Sequence, residues 1–223
     1  MESSARVRGQ LYGALAVSYQ KPEAGEHEGD GDSLLHDLLR ASFSLDAPTV
    51  WSSAKRLSRA LEITHGRDRE MLLELQLEYH RLFVGPGRPQ VLPFESSYRD
   101  RWRMTMGPSA LDVQRRYAEA GLGLARGHQG PPDHVATELG FMGYLVEKGA
   151  DASDAEQRAW LRRERAFLRD HIAVWLPAFC QRVKEVSQHP FYTALADLTE
   201  AFISWDMGRS EVDHEPQLEG AMR

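Results

Sequence analysis

Apolar residues fall at helical intervals along most of this chain, and no alternating apolar and polar run is long enough to make a strand. Between residues 68 and 83 they are Leu72, Leu75, Tyr79, Leu82 and Phe83, spaced as one face of a helix. Val135, Leu139, Met142 and Val146 repeat the pattern, and so do Phe191, Leu195, Leu198, Phe202 and Trp205. Shorter helices are predicted over residues 6–19, 33–45, 49–63, 109–120 and 154–169. A further one is predicted over 178–186, started by Pro177, whose missing N–H is no loss in a first turn. β-branched residues are sparse, so the expected fold class is all-α.

Three segments interrupt the helical pattern. Residues 21–32 (KPEAGEHEGDGD) are acidic and Gly-rich with almost nothing to bury, which predicts a mobile loop. Residues 84–98 (VGPGRPQVLPFESSY) combine three prolines and two glycines with Val91, Leu92 and Phe94, the mixture of an ordered loop packed on a core. Residues 121–132 (GLGLARGHQGPP) end in two prolines that force an extended entry into the next helix. The expectation is one helical domain over 1–207, with an N-terminal half of about 1–120, a Gly/Pro-rich hinge over 121–132 and a C-terminal half over 133–207. Residues 208–223 are polar and expected to be disordered.

Composition narrows the function. With 27 Lys and Arg against 33 Asp and Glu, the net charge of −6 argues against a partner held by phosphate neutralisation, so no nucleic acid is expected. The single cysteine, Cys180, excludes an internal disulfide and a cysteine metal cluster. No stretch approaches the about 18 apolar residues of a membrane span, and no signal-peptide pattern opens the chain. A cytoplasmic protein is expected.

Two segments carry groups with chemical potential. Asp133, His134 and Glu138 open the helix after Pro132; a step of four places His134 and Glu138 on one face, and Asp133 is placed as an N-cap or first-turn acid. A metal would need a fuller ligand set, and HExxH is absent, so no metal or cofactor is expected. In Pro93–Tyr98, Glu95, Ser96 and Ser97 lack the surroundings of a nucleophile. Ser96 or Ser97 is expected to cap a helix running through Tyr98 and Trp102, and Glu95 to accept backbone hydrogen bonds. Neither segment predicts an enzyme.

Taken together, EYHRLFVGPGRPQVLPFESSY and the later PPDHVATELGFM resemble the two signature segments of the TorD/DmsD/NarJ family of redox-enzyme maturation chaperones. The C-terminal FLRDHIAVWLPAFCQRV and HPFYTALADLTEAFISW are also similar to that family's pattern. The resemblance covers the chain from about Leu11 to Trp205. It implies a chaperone that binds the apo catalytic subunit of a molybdenum-cofactor oxidoreductase of the dimethyl sulfoxide reductase type. Contact is implied at the client's twin-arginine signal peptide, before cofactor insertion and export. The implicated surface maps onto Tyr79, Leu82 and Phe83, then Pro93, Phe94, Glu95, Ser96 and Tyr98, then Pro132, Asp133, His134 and Glu138. The family often carries Trp where this chain has Tyr79 or Phe94, a departure that keeps the aromatic character of the surface.

A receptor for two arginines followed by an apolar stretch needs carboxylates beside an apolar groove. Leu82, Phe83, Phe94 and Tyr98 are expected to form the groove, with Glu95, Asp133 and Glu138 as anionic anchors. Two other readings stay open: a NarJ-like assembly chaperone for a nitrate reductase that is not exported, and an all-helical ligand-binding regulator. The hinge is compatible with a monomer or with a homodimer that exchanges helices.

Overall fold

The computed structural model describes residues 4–23, 30–62, 68–87, 89–100, 106–123 and 130–212. Helices account for most of it: α1 (Ser4–Ser18), α2 (Asp30–Ser44), α3 (Pro48–Glu62), α4 (Asp68–Tyr79), α5 (Ser96–Arg99), α6 (Pro108–Glu119), α7 (Val135–Asp151), α8 (Asp154–Phe167), α9 (Ala173–Val186) and α10 (Pro190–Val212). Among the described residues the only β-type pairing is an isolated antiparallel bridge between Phe94 and His134. None of the described helices is long and apolar enough to cross a membrane.

The stripes read from the sequence do face one shared core. Leu75, Tyr79, Leu82, Leu139, Met142, Val146, Leu195, Leu198 and Phe202 are all buried in it. The two sequence halves interleave, because α1 packs along α7 and α3 along α10. The α1–α7 contact is close: a Cβ on Gly143 would lie 3.2 Å from the Gly9 carbonyl oxygen, so a larger residue there would push the helices apart. A buried ion network adds a second tie. The Arg8 guanidinium bonds Asp206 at 2.7 and 2.9 Å and also pairs with Glu164, while the Tyr12 hydroxyl donates to Asp206 at 2.8 Å. Burial alone would disfavour the Arg8 cation, but Asp206 and Glu164 outweigh it and hold the group charged.

Several boundaries differ from expectation. Pro177 does not start a helix; it lies inside α9, which continues from α8 through a π-helical turn at Leu168–Ile172. Such a turn changes the hydrogen-bond register just before a residue that cannot donate. Likewise α4 runs into a π-helical turn at His80–Val84, ended by Gly85 at φ +66°, a conformation that favours glycine. The C-terminal helix extends to Val212, past the 208 start predicted for a disordered tail, and residues 213–223 lie outside the described residues. Residues 30–32 of the predicted acidic loop belong to α2 instead, while 24–29 of that loop, 124–129 of the predicted hinge and Trp102 also lie outside the described residues.

Candidate functional site

The two motif segments are bonded directly to each other. Glu95 N donates to the Asp133 carbonyl at 3.0 Å, and Val135 N donates to the Pro93 carbonyl at 2.9 Å. These bonds flank the Phe94–His134 bridge, whose rings meet with centroids 5.4 Å apart. From α6, the Tyr117 hydroxyl donates to the Pro132 carbonyl at 2.8 Å. At the other end of the loop, Val91 N returns to the Leu82 carbonyl at 2.9 Å. Local sequence explains the shape: prolines keep both segments extended, and extended backbone satisfies its polar groups by pairing.

Capping follows a different plan from the expected one. Asp133 does not cap its own helix. Its Oδ2 accepts from Ser96 N at 2.8 Å and so caps α5 from across the bridge. His134 is the N-cap of α7, its Nδ1 accepting from Ala136 N at 3.1 Å. Neither Ser96 nor Ser97 caps α5: Glu95 occupies the N-cap position with no side-chain cap bond, and Ser96 Oγ is buried without a hydrogen-bond partner.

Glu95 also departs from expectation, because its carboxylate accepts from side chains. Arg99 donates to Oε1, and His171 Nδ1 lies 2.9 Å from Oε2. His171 Nε2 sits 3.2 Å from Asp112 of α6 without the alignment of a hydrogen bond. Arg99 continues to the Asp170 carbonyl at 2.9 Å, and Arg116 pairs with the Asp170 carboxylate at 3.6 Å. Glu138 Oε2 accepts from Trp175 Nε1 at 3.0 Å. One polar cluster therefore joins the loop, α6, α7, the π-helical turn of 168–172 and α9.

Burial, then the nearby negative charge of Glu95, raises the Glu138 carboxyl well above its ordinary value of 4.5. Contact with the Glu95 carboxylate and the charge of Asp133 push it the same way, against the Trp175 hydrogen bond. Asp112 moves the other way: burial opposes its ionisation, but Arg115, His171 and Arg116 hold it below its ordinary value.

The sign of the Glu138 effect follows directly. A carboxyl whose value is raised by folding contributes stability that is complete below 4.5 and is lost as pH rises through the raised value. We expect the urea midpoint to fall as pH rises above 4.5, and Glu138→Gln, which copies the protonated form, to flatten that fall. An unchanged slope in Glu138→Gln would contradict the raised Glu138 value.

These contacts correct the expected anionic groove. Glu95, Asp133 and Glu138 are each 0 % exposed, because protein donors and carboxyls already enclose them. Leu82, Phe83, Tyr79, Pro93, Ser96 and Pro132 are also buried, and Phe83 packs among Tyr79, Phe179 and Tyr192. Only Phe94, Tyr98 and His134 of the predicted site residues keep part of their surface in solvent. Sequence reasoning missed His171, Trp175, Asp112, Arg99 and Arg116 as members of the cluster. For His171 a signal existed: it shares a stripe with Leu168, Ile172 and Trp175, the position of a buried side chain. Among the described residues no group of three or more His, Cys, Asp or Glu is arranged to hold a metal ion.

The sequence profile of the nitrate reductase delta subunit family matches residues 45–181, which takes in α4, both motif segments and the π-helical turn beside them. The chain belongs to this family. Its relatives include the chaperone protein TorD of Photobacterium profundum, 33 % identical over 135 residues, or 60 % of this chain and 62 % of that protein. That alignment spans less than two thirds of the relative's length. The Tat proofreading chaperone DmsD of Salmonella typhi is 28 % identical over 195 residues, covering 87 % of this chain and 83 % of its own. A crystal structure from Archaeoglobus fulgidus, described as a redox enzyme maturation protein, superposes with a TM-score of 0.50 at 17 % identity. It covers 92 % of this chain and 95 % of that one, and it shares the all-helical fold. The resemblance to TorD, DmsD and NarJ chaperones therefore stands, and this family's named members are chaperones, not enzymes.

Proposed function

We propose that this protein is a cytoplasmic, system-specific chaperone that binds the apo catalytic subunit of a molybdenum-cofactor oxidoreductase of the dimethyl sulfoxide reductase type. Contact is at the client's twin-arginine leader, and it holds the client back from export until the cofactor is inserted. The observation that carries this reading is the alignment with a Tat proofreading chaperone over 87 % of the chain, which includes both bridged motif segments. The exposed edge of the bridge, Phe94, Tyr98 and His134, meets the leader. The enclosed Glu95, Asp133 and Glu138 hold that edge in place, backed by Tyr79, Leu82, Phe83, Pro93, Ser96 and Pro132. This division fits the energetics, since apolar aromatic edges contribute more to peptide affinity than exposed charges, worth about 0–1 kcal/mol a pair.

The match to the nitrate reductase delta subunit family supports a second reading, in which the client is a nitrate reductase type subunit that is not exported. Co-purification from the native host separates the two. The first reading expects a large molybdoenzyme subunit whose precursor carries adjacent arginines near its start, and the second a subunit without them. Recovery of no molybdoenzyme subunit would overturn both.

A further inference from the structure

The outer side of α8 carries a charge opposite to that of the chain as a whole. The helix holds four arginines, of which Arg158, Arg162 and Arg163 are exposed and pair with no carboxylate among the described residues. The acids of the helix do not neutralise them. Glu164 is buried against Arg8, Glu156 accepts from the Ser153 hydroxyl at 2.9 Å, and Asp154 sits in the first turn, where the helix dipole favours an acid. Ala159 lies one turn before both Arg162 and Arg163, so a partner surface can come close between them. Arg163 is also held in position: its guanidinium lies 4.7 Å from the Trp160 ring centroid, and Trp160 meets Tyr144 of α7 edge-on at 6.1 Å. Lys148 of α7, exposed and 5.5 Å from the Tyr144 ring, adds a further cation to this side. From Phe167 the chain runs directly into the π-helical turn of 168–172, whose Asp170 and His171 belong to the bridged cluster, so Arg162 stands roughly 12 Å along the axis from that cluster.

We propose that this arginine face of α8 docks an acidic surface on the folded body of the client, at a place separate from the aromatic edge that meets the leader. The inference rests on the reading of the protein as a chaperone for an oxidoreductase subunit, and it gives that subunit a second contact. Charge selects the occupant. Guanidinium forks pair bidentately with carboxylates, and Arg163, already stacked on a ring, has little freedom to lose in doing so. An anionic membrane is a poorer match, because the net charge of −6 repels it and no large apolar side chain of α8 is among the exposed ones that could insert. The same net charge keeps an acidic body away from other parts of the molecule, so the α8 face also sets its orientation. A client held by leader and body together is bound more tightly than by either, since the second contact forms at the effective concentration set by the first.

The test uses the full chain and two probes: the molybdoenzyme subunit that co-purifies from the native host, produced without its leader and without cofactor, and that leader as a labelled synthetic peptide. Arg158→Gln/Arg162→Gln/Arg163→Gln should weaken capture of the leaderless subunit by about tenfold and flatten its salt dependence, with the melting temperature and the affinity for the leader peptide unchanged. If the triple variant captures the leaderless subunit as well as the wild type does, or the wild type does not capture it, the α8 surface is wrong while leader binding still supports the chaperone reading. Intact capture overturns the proposal whatever else the variant loses: a lost dimer would give the face to a second copy, lost sedimentation with phosphatidylglycerol vesicles to a membrane, and a lowered melting temperature to another segment of this chain. If no molybdoenzyme subunit co-purifies, the chaperone reading and this surface fall together.

Discussion

Replacing Arg8 with Met should remove about 3–5 kcal/mol of stability, read as a fall in the urea midpoint without a change in slope. Asp206 and Glu164 are fully enclosed around the guanidinium, and its loss removes the buried cation that both carboxylates share. Arg209 lies 3.2 Å from Asp206 and 3.6 Å from Glu164 but is part-exposed, and it covers only one side. Replacing all three groups with apolar residues of similar volume should restore most of the loss, because the charges need one another more than the fold needs charge. A loss below about 1 kcal/mol in Arg8→Met would show that this network is not the tie between α1, α8 and α10 described here.

Trp175→Ala should be comparably damaging, costing about 3–5 kcal/mol, since the ring is fully buried against Tyr98 and Phe179. Trp175→Phe separates two contributions. It keeps most of the packing but removes the Nε1 donor to Glu138, so a loss of about 1–3 kcal/mol is expected from the hydrogen bond alone. The local consequence bears on function. With Glu138 unsettled, the neighbouring Glu95 is unsettled too, and the loop that presents Phe94 and Tyr98 loses its anchor. Amide hydrogen exchange at Glu95 and Ser96, both bonded to Asp133, should speed up in Trp175→Phe more than exchange at residues of the α1–α7 contact. Equal changes at both places would mean global loosening and no specific anchor.

The helices were legible because their signal is local. The steps through Leu75, Tyr79 and Leu82, or through Leu195, Leu198 and Phe202, state which face is buried without reference to any other part of the chain. The motif segments were legible as a pair but not in their geometry. Nothing in PPDH says that the aspartate will cap a helix 37 positions earlier, because an aspartate before a helix ordinarily caps that helix. The Arg8 network was invisible for the same reason, with 198 positions between Arg8 and Asp206. The π-helical turn before Pro177 was hidden by a correct general rule applied at the wrong place. A proline usually opens a helix, and here the preceding turn shifts register so that the proline is carried inside one. Carboxylates in a motif read as anchors for a cationic partner, but at Glu95 and Glu138 the cation and the ring donors come from the chain itself.

That internal arrangement gives the proposed chaperone a rigid aromatic edge with little conformational freedom to lose on binding, which favours tight capture of a flexible leader. The most direct test of the role is to delete the gene in the native host and measure the molybdenum content of the purified client oxidoreductase. The enzyme should accumulate with little molybdenum and regain it when the wild-type gene is returned. A fully loaded enzyme in the deletion strain would contradict it.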